Sequence, residues 1–294
     1  MNKLDNYINM IENELYRFLP SEDLKQKRVI DAARHSLSAG GKRIRPVLVL
    51  AFCEMCGGNP EKALPVACAL EYIHTFSLIH DDLPCMDDDD FRRGKPSCHK
   101  AFDEYTALLA GDALAVMPFG MIASAAKDKK ISFEAAVKII SYLSDAIGFK
   151  GMIGGQQIDT DNNGKIKNPD DILEMYSMKT SDLLKAACCC GVLCADSENE
   201  EKYLKSAETY AYNLGLAFQI IDDILDITST SEQLGKPVGS DEKSEKFTYA
   251  TVSGLEKAKE KASALTSEAS LALSEFDDNS FLLELTDMLL KRNK

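Results

Sequence analysis

Apolar residues recur at three- and four-residue spacing through almost every long segment of the chain, and convincing period-two strands bounded by turn residues are missing. Such spacing leaves helix packing as the way to bury a core, so the expected fold class is all-α. Breaks fall at Gly57-Gly58-Asn59-Pro60 and in 83–100, 159–169, 196–201 and 228–246. None has the composition of an interdomain linker, so one domain over 1–294 is expected. One helix start is well specified: Asn168 can cap, Pro169 suits the first helical position, and Asp170 and Asp171 complement the positive end of the dipole.

Charge narrows the function classes. With 34 Lys and Arg against 47 Asp and Glu, the net charge of −13 argues against nucleic-acid backbones and anionic membrane surfaces as partners. No uninterrupted run reaches the ~18 apolar residues of a membrane span, and the longest, 113–126, contains Pro118 and Gly120. The first twenty residues lack a basic stretch followed by an apolar one. A soluble, cytoplasmic protein is expected, its nine cysteines reduced. Cys53 and Cys56 have a CxxC spacing without a second pair, and, like Cys188, Cys189, Cys190 and Cys194, they read as small buried hydrophobes.

The most informative segment, His80-Asp81-Asp82-Leu83-Pro84-Cys85-Met86-Asp87-Asp88-Asp89-Asp90, follows a strongly apolar helix and crowds six carboxylates into ten residues. Like charges this close raise one another's pKa unless cations neutralise them, and Mg2+ takes its oxygen ligands from carboxylates and substrate phosphates. A solvated acidic loop is the alternative. Helical steps put His74, Ser77 and Asp81 on one face, whereas Asp87 returns to that face only if Leu83-Pro84 bends the chain. A second set, Asp222-Asp223-Ile224-Leu225-Asp226, lies on a segment where Gly215, Gln219, Asp222 and Asp226 share a face beside the apolar residues Ala207, Tyr210, Ala211, Leu214, Phe218 and Ile221.

Basic residues gather at Gly40-Gly41-Lys42-Arg43-Ile44-Arg45-Pro46 and at Arg92-Arg93-Gly94-Lys95-Pro96, both read as loop-to-helix junctions. Glycine admits close backbone approach to an anion and arginine offers phosphate a bidentate fork; a solvated turn is the alternative for either segment. Ile172, Tyr176, Lys179, Leu183 and Cys190 trace one inward stripe on a single helix, which places Lys179 where an apolar residue is expected. Snorkelling toward solvent is the other reading of that lysine. Gly154-Gly155-Gln156-Gln157-Ile158-Asp159 adds polar groups at a helix end. Together these features describe an apolar pocket with diphosphate chemistry at its mouth.

In these motifs the sequence resembles the trans-isoprenyl diphosphate synthases, of the bacterial farnesyl diphosphate synthase and related geranylgeranyl diphosphate synthase group. Asp81-Asp82-Leu-Pro-Cys-Met-Asp87 with Arg92-Arg93 is similar to the family's first aspartate-rich motif and Asp222-Asp223-Ile-Leu-Asp226 to its second. Gly40 to Pro46, Gly155 to Asp159, Lys179-Thr180 and Gly235-Lys236 match in order and approximate spacing. The resemblance implies a single bundle of roughly ten or more helices around a deep central cavity, in a homodimer. It implies Mg2+ as cofactor: Asp81 and Asp87 would bind two ions and Asp222 a third, with Asp82, Asp223 and Asp226 counted in the metal set. Arg92, Lys179 and Lys236 would contact the allylic diphosphate, with Thr180 and Gln219 stabilising the cation, while Lys42, Arg45, His74 and Arg93 would hold isopentenyl diphosphate.

The implied reaction ionises an allylic diphosphate, dimethylallyl or geranyl, condenses it head to tail with isopentenyl diphosphate and eliminates a proton. Phe76 lies five residues before Asp81, roughly 7.5 Å lower along a helix, and resembles the family's aromatic stop at C15, so farnesyl diphosphate is the expected product. Ser77 is small, which keeps a C20 product as the alternative. Phe247 departs from the small residue expected after Lys246, which puts the family's phosphate role for Lys246 in doubt. A His-Asp phosphohydrolase using His35 and His80-Asp81 would leave the second aspartate set and both basic segments unexplained. A terpene cyclase would carry a different second motif, and a non-catalytic partner subunit would not need both aspartate sets.

Overall fold

The structure, a computed structural model, describes residues 2–20, 24–162, 165–228 and 247–290. Helix follows helix, as the periodicity requires: α1 (Lys3–Leu15), α2 (Lys27–Leu37), α3 (Ile44–Met55), α4 (Pro60–Asp81), α5 (Cys98–Ala101), α6 (Glu104–Lys127), α7 (Phe133–Ile147), α8 (Met152–Asp161), α9 (Pro169–Tyr176), α10 (Asp182–Ala195), α11 (Glu200–Thr228), α12 (Tyr249–Ser253), α13 (Leu255–Ala272) and α14 (Ser280–Leu290). The chain divides into two compact units, 1–140 with 193–196, and 141–192 with 197–294. The predicted breaks at 57–60, 159–169 and 196–201 each take in a junction between helices. Asn168 caps α9 as its side chain accepts the Asp170 N–H at 3.1 Å.

Two features differ from the sequence reading. Phe91–Arg92 (β1) and Lys95–Pro96 (β2) form an antiparallel hairpin rather than a loop running into a helix. Its two-residue turn, Arg93-Gly94, has positive φ at both positions (54° and 77°), the type I′ geometry whose twist suits a tight hairpin. The strands are too short for period-two patterning to reveal them. Secondly, the stripe from Ile172 to Cys190 does not lie on one unbroken α-helix: Ser177–Ser181 is a π turn between α9 and α10. A π turn inserts a residue into the helical repeat, which shifts the register that steps of 3.6 assume.

In the first unit, α4 is the central support. Its residues are buried from Val66 through Ile73 because it packs against α1, α3 and α6. The Arg43 guanidinium binds this unit together: Nε donates to Glu12 of α1 at 2.7 Å, Nη1 to Glu71 of α4 at 2.6 Å, and Nη2 to the Leu37 carbonyl of α2 at 2.7 Å. The Arg43 side chain is fully buried, so these bonds compensate for its desolvation. Its backbone sits in the left-handed region (φ 49°), at a cost of about 1 kcal/mol that the three bonds offset.

Helix α6 shows what counting uninterrupted apolar runs overlooks. By length and composition it could cross a membrane, with a mean hydropathy of 1.6 over its most apolar 18-residue window, yet 44% of that window is buried inside the protein. In the second unit α11 runs against α13, and the π turn and the preceding α9 pack on α8 and α11.

None of the nine cysteines forms a disulfide, and eight of them are buried. Burial pushes the Cys53 and Cys56 thiols up to about 12, so neither is a thiolate ready for metal or redox chemistry at neutral pH. Only Cys85 is exposed. Titration of the native protein with an aromatic disulfide reagent is therefore expected to show one fast thiol, lost in Cys85→Ser, and nine after denaturation. Glu71→Ala, which strips a buried guanidinium of a charged partner, is expected to lower the unfolding free energy by about 3 kcal/mol in chemical denaturation.

Candidate active site

The first aspartate motif begins where α4 stops. Asp81 is the last helical residue, and the Leu83-Pro84 turn brings the Asp87 N–H back to the Asp81 carbonyl at 2.9 Å. The Asp88 N–H meets the Leu83 carbonyl at 3.2 Å, closing the same turn. The bend that the helical arithmetic demanded is present, and Asp87 stands exposed at its tip.

Cations meet several of the crowded carboxylates. Asp82, only 2% exposed, accepts the Arg92 Nε at 2.9 Å and a second, short bond from Nη2, while Nη2 also reaches Asp89 at 2.9 Å. Burial raises the Asp82 pKa, opposed by Arg92. Lys100 lies 2.8 Å from Asp90 and 3.6 Å from Asp88. Neighbouring Arg93 points elsewhere: it donates to the Gly40 carbonyl and has Nη2 3.4 Å from His74 Nε2. The type I′ turn thus sends adjacent arginines to different places, one to the aspartates and one to the glycine loop. Lys95 donates to the Ser38 carbonyl at 2.7 Å and serves as an anchor of the hairpin.

The glycine loop is shaped around Arg93. Gly41 has φ 128°, and a Cβ there would stand 2.5 Å from the Arg93 guanidinium carbon. Lys42 is exposed. Arg43 turns into the core, whereas Arg45 keeps a buried Nε with no hydrogen-bond partner. Burial lowers the Arg45 guanidinium to about 10 even with Glu71 nearby. A buried cationic donor lacking an acceptor is a position for an anion. Burial, together with Arg45, Arg93, Arg43 and Arg92, holds His74 well below the ordinary histidine value, so its imidazole is neutral at pH 7. His80 and His35 are turned to the backbone carbonyls of Leu108 (3.1 Å) and Pro96 (2.9 Å). That placement argues against the phosphohydrolase alternative.

The second unit gathers its polar groups around the π turn. Lys179 donates to Asp159 at 2.6 Å, and Thr180 donates to the Gln219 side-chain oxygen at 3.2 Å. Close backbone approach makes this possible: a Cβ on Gly155 would lie 2.5 Å from the Lys179 nitrogen, and one on Gly215 would collide with Ser181. Gly215, placed by spacing on the polar stripe, is thus a helix-crossing point. Tyr176, read as an apolar stripe residue, donates its hydroxyl to Asp223 at 2.8 Å. Asp223 and Asp226 are buried and Asp222 is half-buried. Phe247 lies under Lys167, with the ammonium 5.5 Å from the ring centre, which sets it against the loop preceding α9. Lys236 and Lys246 lie outside the described residues.

Among the described residues no three His, Cys, Asp or Glu side chains form a metal cage. The donors present are paired hard carboxylate oxygens one turn apart, which fit Mg2+ because it takes one or two protein carboxylates and completes its shell with phosphate and water.

The polyprenyl synthetase family model matches residues 26–279. The chain belongs to that family. Among its relatives, a geranylgeranyl diphosphate synthase of Cyanophora paradoxa is 46% identical over 90% of this chain and 88% of its own length. The Bacillus subtilis farnesyl diphosphate synthase is 38% identical over 99% of both. A geranyltransferase from Helicobacter pylori, solved with magnesium and isoprenyl diphosphate, superposes with a TM-score of 0.81 at 31% identity, covering 99% of this chain and 97% of that one. The all-α expectation holds, and prenyltransferase activity follows from family membership.

Neutral His74 has a consequence for stability. Its folded pKa is lowered, so the unfolded chain binds more protons below the ordinary value of about 6.5, and the contribution present above that pH is lost as pH falls. His74→Gln is expected to flatten the acid-side loss of stability in denaturation curves between about pH 7 and 5; parallel curves for both proteins would contradict it.

Proposed function

We propose that the protein is a Mg2+-dependent farnesyl diphosphate synthase, condensing isopentenyl diphosphate head to tail with dimethylallyl and then geranyl diphosphate. The observation that carries the reading is the partnerless, buried Arg45 Nε beside neutral His74 and Arg93, in the same unit as the first aspartate motif. An anion site and a divalent-cation site side by side suit two diphosphates, one met by basic groups and one through metal.

In this reading Lys42, Arg45, Arg93 and the neutral His74 bind isopentenyl diphosphate. Asp81, Asp87 and Asp222 hold metal, with Asp82, Asp223 and Asp226 supporting them. Bound Mg2+ supplies Lewis-acid stabilisation of the charge that develops on the leaving diphosphate. Arg92, Lys179 and Lys236 add donors to the same group, and Lys179 is already oriented by Asp159. The allylic C–O bond breaks, the C3=C4 electron pair of isopentenyl diphosphate forms the new C–C bond, and the C2 proton leaves to the departed diphosphate. The Thr180 bond to Gln219 fixes the Gln219 oxygen as a dipole for the cation. No side chain acts as nucleophile; the residues position substrates and exclude water.

Chain length is assigned to Phe76, buried on α4 with its ring 5.8 Å from that of His80 in an edge-on contact. A geranylgeranyl product is the second reading, favoured by the name of the 46%-identical relative. Exposed Tyr105, Leu108, Leu109 and Val116 lie on one face of α6 and support a homodimer. Nine thiols, none in a disulfide, support a reducing, cytoplasmic setting.

Purified protein is to be incubated with Mg2+, labelled isopentenyl diphosphate and dimethylallyl or geranyl diphosphate, and the dephosphorylated alcohols sized. Expected are dominant C15 from the wild type and a shift to C20 or longer in Phe76→Ala. Dominant C20 from the wild type would sink the Phe76 assignment and keep the reaction.

A further inference from the structure

The hydroxyl of Tyr176 occupies a position that an apolar stripe does not need. Tyr176 is the last residue of α9, immediately before the π turn that carries Lys179 and Thr180. It is 6% exposed, and its hydroxyl donates to Asp223 Oδ2 at 2.8 Å. The Tyr249 backbone N–H, at the first turn of α12, approaches the Tyr176 hydroxyl oxygen at 3.4 Å. That approach uses the phenol as an acceptor and leaves its proton for the carboxylate. Thr248, the preceding residue, is pinned by a capping box with Thr251, so the Tyr249 N–H is held in place. The oxygen thus stands between a fixed donor and a carboxylate that is itself 4% exposed.

A buried carboxylate that accepts a hydrogen bond from a fixed hydroxyl has its plane restrained by that bond. Groups that orient metal-ligating carboxylates in this way raise metal affinity without touching the ion. The helix turn bearing Tyr176 runs straight into the π turn, so the placement of Asp223 and that of Lys179 and Thr180 share one rigid origin. Phenylalanine would fill the same volume, which separates the hydroxyl's role from the ring's packing.

We propose that Tyr176 is a positioning residue that orients Asp223 for divalent-cation binding at the second aspartate motif. The inference rests on the metal role assigned to that motif above. Its test is Mn2+ binding in the presence of inorganic pyrophosphate, followed by electron paramagnetic resonance, together with the Mg2+ dependence of turnover, in the wild type, Tyr176→Phe, Asp223→Asn and the double variant. Tyr176→Phe is expected to weaken Mn2+ binding about tenfold and to raise the Mg2+ needed for half-maximal rate by a similar factor. The KM for isopentenyl diphosphate should not change. In the Asp223→Asn background the same substitution should have no further effect, because the interaction it removes is already gone. An unchanged Mn2+ affinity in Tyr176→Phe, or an equal loss in both backgrounds, would overturn the proposal. Mn2+ binding that responds to Tyr176→Phe in a protein that condenses nothing would uphold the positioning role and remove the prenyltransfer reading instead.

Discussion

Repulsion among carboxylates is the constraint to which this chain's polar architecture answers. Six acidic residues follow the apolar α4 within ten positions, and α11 carries three more in five. Water cannot screen the buried members, so the fold answers with specific partners, Arg92 for Asp82 and Tyr176 for Asp223, while the exposed Asp89 meets Arg92 and the exposed Asp88 and Asp90 meet Lys100 at the surface. The type I′ hairpin exists where Arg92 must reach back to Asp82 while Arg93 reaches Gly40. The acidic motif therefore arrives with part of its charge compensated and its carboxylate oxygens oriented, the condition under which a hard divalent ion and a diphosphate complete the balance.

The basic groups divide by the same logic. Arg43 is a structural cation whose donors are satisfied by Glu12, Glu71 and the Leu37 carbonyl, and it fixes the loop on which Lys42 and Arg45 stand. Arg45, two residues on, lacks a partner for its buried Nε. Burial and the four arginines around His74 keep its ring uncharged, so it offers a neutral donor or acceptor instead of adding a cation to an already basic cluster. Electrostatic preorganisation of this kind costs nothing at the moment of reaction, because donors and dipoles are fixed beforehand.

What was legible in the sequence follows from what is periodic and what is chemical. Helical spacing sufficed for the all-α class and for most helix boundaries, and the 120° mismatch between Asp81 and Asp87 sufficed to infer the bend at Leu83-Pro84. The two-residue strands were too short to show a period, although Arg93-Gly94 is a turn pair that suits a hairpin. The π turn at Ser177–Ser181 was invisible because it is a departure from the repeat used to read helices; Gly155 and Gly215, each tight against it, were the available signals of a close crossing. Tyr176 was counted as apolar because spacing reports which face a ring lies on and is silent about what its hydroxyl meets. Arg43 was grouped with the phosphate-binding segment by proximity, and only its left-handed backbone turns it into the core.

The central claim is that the two aspartate motifs, each taken by itself, bind a diphosphate through divalent ions. Isothermal titration of inorganic pyrophosphate into the protein, with Mg2+ and with EDTA, tests it most directly, with Asp81→Asn and Asp222→Asn as comparisons. The account predicts heat of binding only when Mg2+ is present and a marked loss of affinity in each variant. Pyrophosphate binding of equal strength in EDTA, or undiminished in both variants, would contradict it.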